Sequence, residues 1–166
     1  MKQPKNTNEV VIESIIQATL DLMNKKSLDD ISITDIVQRA GVSRNSFYRN
    51  FDDKDDIIRR YLFNETECWM EEVHKTYTSL FDSGNFILIL LEHLYEYRDL
   101  TSLLMRDNKM YLLEEEFDNR VRARLSDETD PWHIAFIAGG IYKMFLYWAE
   151  TGYQKSPQEV ASFVKY

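Results

Sequence analysis

Residues 32 to 58 read SITDIVQRAGVSRNSFYRNFDDKDDII, and the way this stretch folds decides how the rest of the chain is read. Ser32 stands three residues before Asp35, a pairing that caps a helix start, and Ile33, Ile36 and Val37 then lay an apolar stripe on a short helix that stops at Gly41. Ser43 can cap a second short helix running to Asn50. Turning this helix by about 100° per residue with Phe47 toward the core puts Ser43 and Phe51 beside it. Asn45 and Arg49 then point away, Ser46 and Tyr48 lie on the flanks, and Arg44 projects from the helix start. Two short helices joined by a glycine turn, with a helix on each side, form a helix-turn-helix.

Outward from this stretch, every periodic segment is helical. Val11, Ile15, Ala18 and Leu22 recur at spacings of three and four, with Ile12, Thr19 and Met23 beside them, which predicts a helix from Asn8 to Lys25 and Lys26. Asp53 followed by Asp56 can cap a longer helix carrying Ile57, Ile58, Tyr61, Leu62, Trp69, Met70 and Val73. Ser83, Gly84 and Asn85 break the pattern, and FILILLEHLYEY after them reads as a buried helix, too long and leucine-rich for a strand. Residues 99–107 and 109–125 give a short and a longer charged helix, and SDETDP a loop. Pro131 opens a long helix closing at Gly152, and Ser156 with Glu159 caps a last segment through Tyr166. The expected fold is all-α: a helix-turn-helix domain over residues 1–52 and a second helical domain over residues 53–166, to which the resemblance given below assigns regulation and dimerisation.

The chain has 166 residues and a formal net charge of −8. Residues 1 to 60 hold ten basic and ten acidic side chains, against ten and eighteen for the remainder. The first part can therefore approach a polyanion that the second repels. No basic start with an apolar run behind it opens the chain, and no stretch reaches the roughly 20 apolar residues of a membrane span, so a cytoplasmic location without membrane contact is expected. The single cysteine, Cys68, cannot form an internal disulfide and reads as packing. His74, His93 and His133 have no ligand spacing for a metal, and no phosphate loop, nucleophile elbow or zinc-protease motif is present, so neither a cofactor nor catalysis is expected.

A tyrosine and an asparagine on the open side of a short helix are poor choices for a merely solvated face, where alanine, glutamate or lysine favour the helix more. They suit hydrogen bonds to base edges and phosphates. The capped helix, the Ala-Gly-Val-Ser turn, the Phe-Tyr pair, Phe51, and Lys54 ahead of Ile57 and Ile58 together resemble the DNA-binding signature of the TetR family of bacterial transcriptional regulators. The resemblance implies that Arg44, Asn45 and Ser46 begin the recognition helix. It also implies that Tyr48 and Arg49 touch bases or backbone, and that Lys54 meets a phosphate. Ser32 and Thr34 would add backbone contacts, with Ser43 and Asn50 at the ends of the same helix. Asp52, Asp53, Asp55 and Asp56 crowd Lys54, leaving residues 43–60 with a sum of only +1. This keeps open a protein-interaction module or coactivator that holds the fold but binds DNA weakly or not at all.

For the remainder, the resemblance implies a homodimer built from the last two long helices, reading a palindromic operator in double-stranded DNA and answering to an unknown small-molecule effector, most often as a repressor. Gly139 and Gly140 cost about 1 kcal/mol each against alanine inside a helix, which a flanking core side chain, a local kink or the close approach of a second helix, including a partner's, would offset. The expected interface residues are Gly139, Gly140, Ile141, Phe145, Trp148, Val160 and Phe163. Large or soft side chains expected around an effector are Trp69, His74, Tyr77, His93, Met105, Met110, Tyr111, Phe136 and Tyr142, each of which has plain core packing as its other reading.

Overall fold

Serine side chains start the short helices of the N-terminal half. Ser27 accepts from the Asp29 amide and sets a single 3-10 turn, Leu28–Asp30, which the apolar periodicity alone does not reveal. Ser32 accepts from the Asp35 amide while the Asp35 carboxylate accepts from the Ser32 amide, both at 3.1 Å, the reciprocal capping box expected there. Ser43 accepts from the Ser46 amide at 3.0 Å. In the computed structural model, which describes residues 7–76, 85–124 and 130–164, these caps lead into α2 (Ile33–Ala40) and α3 (Arg44–Asn50). Before them runs α1 (Thr7–Met23), and after them α4 (Lys54–Thr76). Gly41 closes α2 in the left-handed conformation, φ 67°, which a side chain would strain.

The C-terminal half holds α5 (Phe86–Glu96), α6 (Arg98–Arg106), α7 (Met110–Arg124), α8 (Pro131–Glu150) and α9 (Pro157–Ala161). The fold is all-α, and FILILLEHLYEY is the buried helix its length implies. The last segment departs from expectation. Its Ser156–Glu159 capping box forms, but α9 is only five residues long, so α8 is the single long helix at this end.

Two apolar cores organise the described residues. The first gathers Ile15, Met23, Leu28, Ile36, Phe47 and Ile57, among others, and is completed by Leu104 of α6 and Leu112 of α7. Burying two leucines is worth roughly 3–6 kcal/mol. That is comparable with the whole net stability of a small domain, so the first core crosses the boundary expected between residues 52 and 53. The second core packs Ile87, Leu91 and Leu94 of α5 against Ile141, Phe145 and Trp148 of α8 and Val160 of α9. Met110 and Leu113 touch both cores. Along α8 the buried arc is Ala138, Ile141, Tyr142, Phe145, Trp148 and Ala149, and the opposite arc of Trp132, Phe136, Gly139, Gly140, Lys143 and Tyr147 is open. No described helix is long and apolar enough to cross a membrane.

Candidate nucleic-acid interface

Phe47 is fully buried and fixes the roll of α3. The expected face follows: Arg44, Asn45, Tyr48 and Arg49 are exposed, with Ser46 and Asn50 half-buried. Tyr48 is 56% exposed, its ring edge-on to Phe47 at 5.3 Å, so the hydroxyl end stands off a fixed base. Neighbouring helices hold both arginines. Arg44 Nη2 donates to Thr34 Oγ1 of α2 at 2.8 Å, and Arg49 Nη2 to Asn8 Oδ1 of α1 at 3.3 Å. Ser43 and Ser46 share a hydroxyl–hydroxyl hydrogen bond at 2.9 Å, and the Asn50 amide nitrogen donates to the Ser46 carbonyl at 2.7 Å. Asn8 is a contact that sequence reasoning missed, since nothing in its type marks it as facing α3.

Lys54 has a different geometry from the one a phosphate contact requires. Its Nζ donates to the carbonyls of Leu28, Asp29 and Ile31 at 2.6, 3.0 and 2.9 Å, which uses all three ammonium hydrogens on the turn between α1 and α2. The crowd of aspartates also resolves into partners. Asp53 accepts from the Asp56 amide at 2.7 Å and Asp56 from the Asp52 amide at 3.2 Å, capping α4. Asp55 accepts from Lys109 Nζ and the Tyr111 hydroxyl; burial pushes its pKa up, and these two donors more than reverse that and hold it below the usual range. The Lys26 ammonium and the Ser32 amide hold the α2 cap residue Asp35 down at about 2, so the cap is ionised at neutral pH.

Several of the residues expected around an effector meet one another or the helix backbone. Trp69 stacks on His93 at 4.2 Å and His93 meets Tyr97 edge-on at 5.0 Å. The Tyr142 hydroxyl donates to the Met110 carbonyl at 3.1 Å, and Met105 is half-buried in α6. Two of the expected residues are corrected outright: Phe136 is 82% exposed on the open arc of α8, and Tyr111 lies at the surface on Asp55, so neither faces an interior. Tyr77 and the His74 side chain lie outside the described residues. An open groove of about 770 Å³ lies elsewhere, over α1, α2 and α4, with Glu13, Asp21, Arg39, Tyr61 and Glu65 in its walls and none of the expected residues among them. Cys68 is exposed on α4 rather than packed. Among the described residues no group of three or more His, Cys, Asp or Glu could hold a metal ion.

The expected interface residues divide in two. Ile141, Phe145, Trp148 and Val160 are interior to the chain's own second core and offer no surface to a second copy. Gly139 and Gly140 are exposed, and a Cβ added at either meets nothing within 4 Å. Phe163 is exposed, with the Lys155 ammonium 5.6 Å from its ring centre. The open residues of α8 that sequence reasoning missed are Trp132, 84% exposed, and Tyr147. Both stand at helical spacing from Phe136 and Gly140.

Residues 15–61 match the family described as bacterial regulatory proteins, tetR family. Over 55 residues, 33% of this chain and 28% of the relative, the sequence is 40% identical to the uncharacterized HTH-type transcriptional regulator YvdT of Bacillus subtilis strain 168. Over 50 residues, 30% of this chain and 22% of the relative, it is 38% identical to YwcC of the same organism, described in the same words. The matches thus span less than a third of either relative. Across nearly the whole length the fold is similar to that of Lin0861 from Listeria innocua, with a TM-score of 0.74, 14% identity, and 98% of this chain and 97% of the other covered. The matched segment encloses α2, α3 and the turn between them, so this part of the chain is similar to the tetR family of bacterial regulatory proteins.

Proposed function

We propose that this chain is a dimeric, sequence-specific DNA-binding transcriptional regulator, acting as a ligand-responsive repressor. The observation that carries the reading is the face of α3, where Arg44, Asn45, Tyr48 and Arg49 stand exposed over a fully buried Phe47. In the major groove, Arg44, Asn45, Ser46 and Tyr48 read base edges, while Ser32, Thr34, Ser43, Arg49 and Asn50 approach the sugar-phosphate backbone. Lys54 serves this face from behind by fixing the turn that precedes α2.

The second copy docks on the open arc of α8, where Trp132, Phe136 and Tyr147 flank two glycines that admit close helix approach. Two copies then set their α3 helices about 34 Å apart, one turn of duplex, and the operator is palindromic. An effector releases DNA by binding one arrangement of the pair more tightly than the other.

Selection of bound sequences from a random duplex pool tests the reading directly, with a palindrome as the expected product. Tyr48→Ala is expected to weaken binding to the selected operator roughly 10- to 100-fold, as loss of a base-reading side chain does, with circular dichroism and dimer mass unchanged. No enrichment of any sequence even at low salt would refute the proposal and point to a protein partner instead.

A further inference from the structure

We propose that the corner between α6 and α7, residues 106–110, is a lever coupling the α8 bundle to the DNA-reading helices, with Asp107 as its positioning residue. This rests on the reading of α3 as a DNA-binding helix. The Asp107 side chain is fully buried, and its Oδ2 accepts from the Leu28 amide, in the turn between α1 and α2, at 2.8 Å. Arg106 pairs with that carboxylate at 2.7 Å and sends its other nitrogen to the carbonyls of Met23 and Lys26 at 3.0 and 3.2 Å. Lys109 adds ion pairs to Asp29 at 3.4 Å and Asp55 at 3.1 Å, so one corner holds the α1–α2 turn and the start of α4 together.

The corner is a defined bend, because Asn108 takes a left-handed conformation, φ 57°, and the Lys109 amide donates back to the Leu104 carbonyl at 2.8 Å. On its other side, α8 holds the corner through the Tyr142 hydroxyl on the Met110 carbonyl, and the Met110 side chain reaches both cores. A buried carboxylate cannot part from its amide and guanidinium without leaving an unpaired charge in the interior. The turn ahead of α2 therefore follows the corner, and the corner follows α8. Lys54 holds the same turn by its carbonyls from within the DNA-binding half, so Asp107 is the point at which the other half enters.

Hydrogen exchange of the full chain, with operator binding measured alongside, tests the lever. In Asp107→Ala the Leu28 amide is expected to exchange at least about tenfold faster and operator affinity to fall about tenfold, while the amides of Leu91 and Phe145 keep their protection. Asp107→Asn retains an oxygen for the Leu28 amide and is expected to restore much of both. Tyr142→Phe, which removes only the hydroxyl held on the Met110 carbonyl, is expected to speed Leu28 exchange about threefold or more. Unchanged Leu28 exchange in Asp107→Ala, or equal acceleration at Leu91 and Phe145, would overturn the positioning role. Unchanged Leu28 exchange in Tyr142→Phe would overturn the link to α8, and this variant decides the matter if Asp107→Ala fails to fold. A wild-type chain that binds no DNA sinks the reading of α3, whereas the exchange results judge the lever without DNA.

Discussion

Around the first core, charged and hydroxyl side chains pin the backbone: Lys54 on three carbonyls, Asp107 on an amide, and Ser27, Ser32 and Ser43 on helix starts. Around the second core, rings pack on rings. Trp148 lies 5.5 Å from Tyr95 and 4.9 Å from Tyr153, Trp69 covers His93, and α5 and α6 begin without a side-chain cap. Hydrogen bonds fix direction as well as distance, whereas ring contacts tolerate sliding. The half proposed to match a duplex is thus held more by the stricter kind of contact, and the half proposed to adapt to an effector more by the looser kind, although caps also start α8 and α9 there.

Removing a pin from the strict half should have the largest effect. Lys54→Met keeps the stem and loses three charge-assisted hydrogen bonds, with an expected cost of about 2–3 kcal/mol in urea unfolding without any DNA present. If stability is instead untouched and the salt dependence of DNA binding falls by about 0.9 in slope, Lys54 is a phosphate contact after all and the contrast between the halves weakens.

In the looser half, His93 is the side chain to titrate. Burial pushes its pKa down to about 4, from 6.5 in the unfolded chain, and Nδ1 hydrogen-bonds nothing among the described residues. Between these two values the unfolded chain binds the extra proton, so stability is full above pH 6.5 and is lost as the pH falls toward 4. Allowing for partial solvent access and for Glu96 at 3.9 Å, the loss should be about 2 kcal/mol. Unfolding curves at the two ends of the window measure it, and His93→Phe, which preserves a flat ring on Trp69, should remove that part of the pH dependence.

The smallest effect has an informative sign. Gly140→Ala meets no atom of its own chain within 4 Å and should stabilise the monomer by about 1 kcal/mol through helix propensity. The same methyl would obstruct a close partner helix, so sedimentation should show weaker self-association. Stabilisation with unchanged association would move the dimer contact away from the α8 glycines.

The strict half was also the legible half. Caps are short-range chemistry, so Ser32 with Asp35, Ser43, and Asp53 with Asp56 could be placed from spacing alone, and Phe47 then oriented every side chain of α3. What spacing could not reveal is which partner a long side chain chooses. Lys54 sits where a phosphate contact is expected and turns inward instead, because the carbonyls that attract it come from a turn more than twenty residues earlier. On α8 both arcs carry aromatic rings, so composition did not separate the inner face from the outer. Phe145 and Trp148, expected against a partner, pack instead against the chain's own α5 and α9.

Leu104 and Leu112, lying 50 and 58 residues beyond the start of α4 at Lys54, also bear on how such a protein can diversify. The proposed DNA-reading domain, cut at the start of α4, is not a cassette that can be joined to a different bundle, because its interior would be left open where α6 and α7 now close it. A working chimera would have to carry those two leucines, or side chains of like volume at the same places, along with that domain. Under the proposed reading, exchange of operator specificity is then easier by substitution on the exposed face of α3 than by recombination at the start of α4.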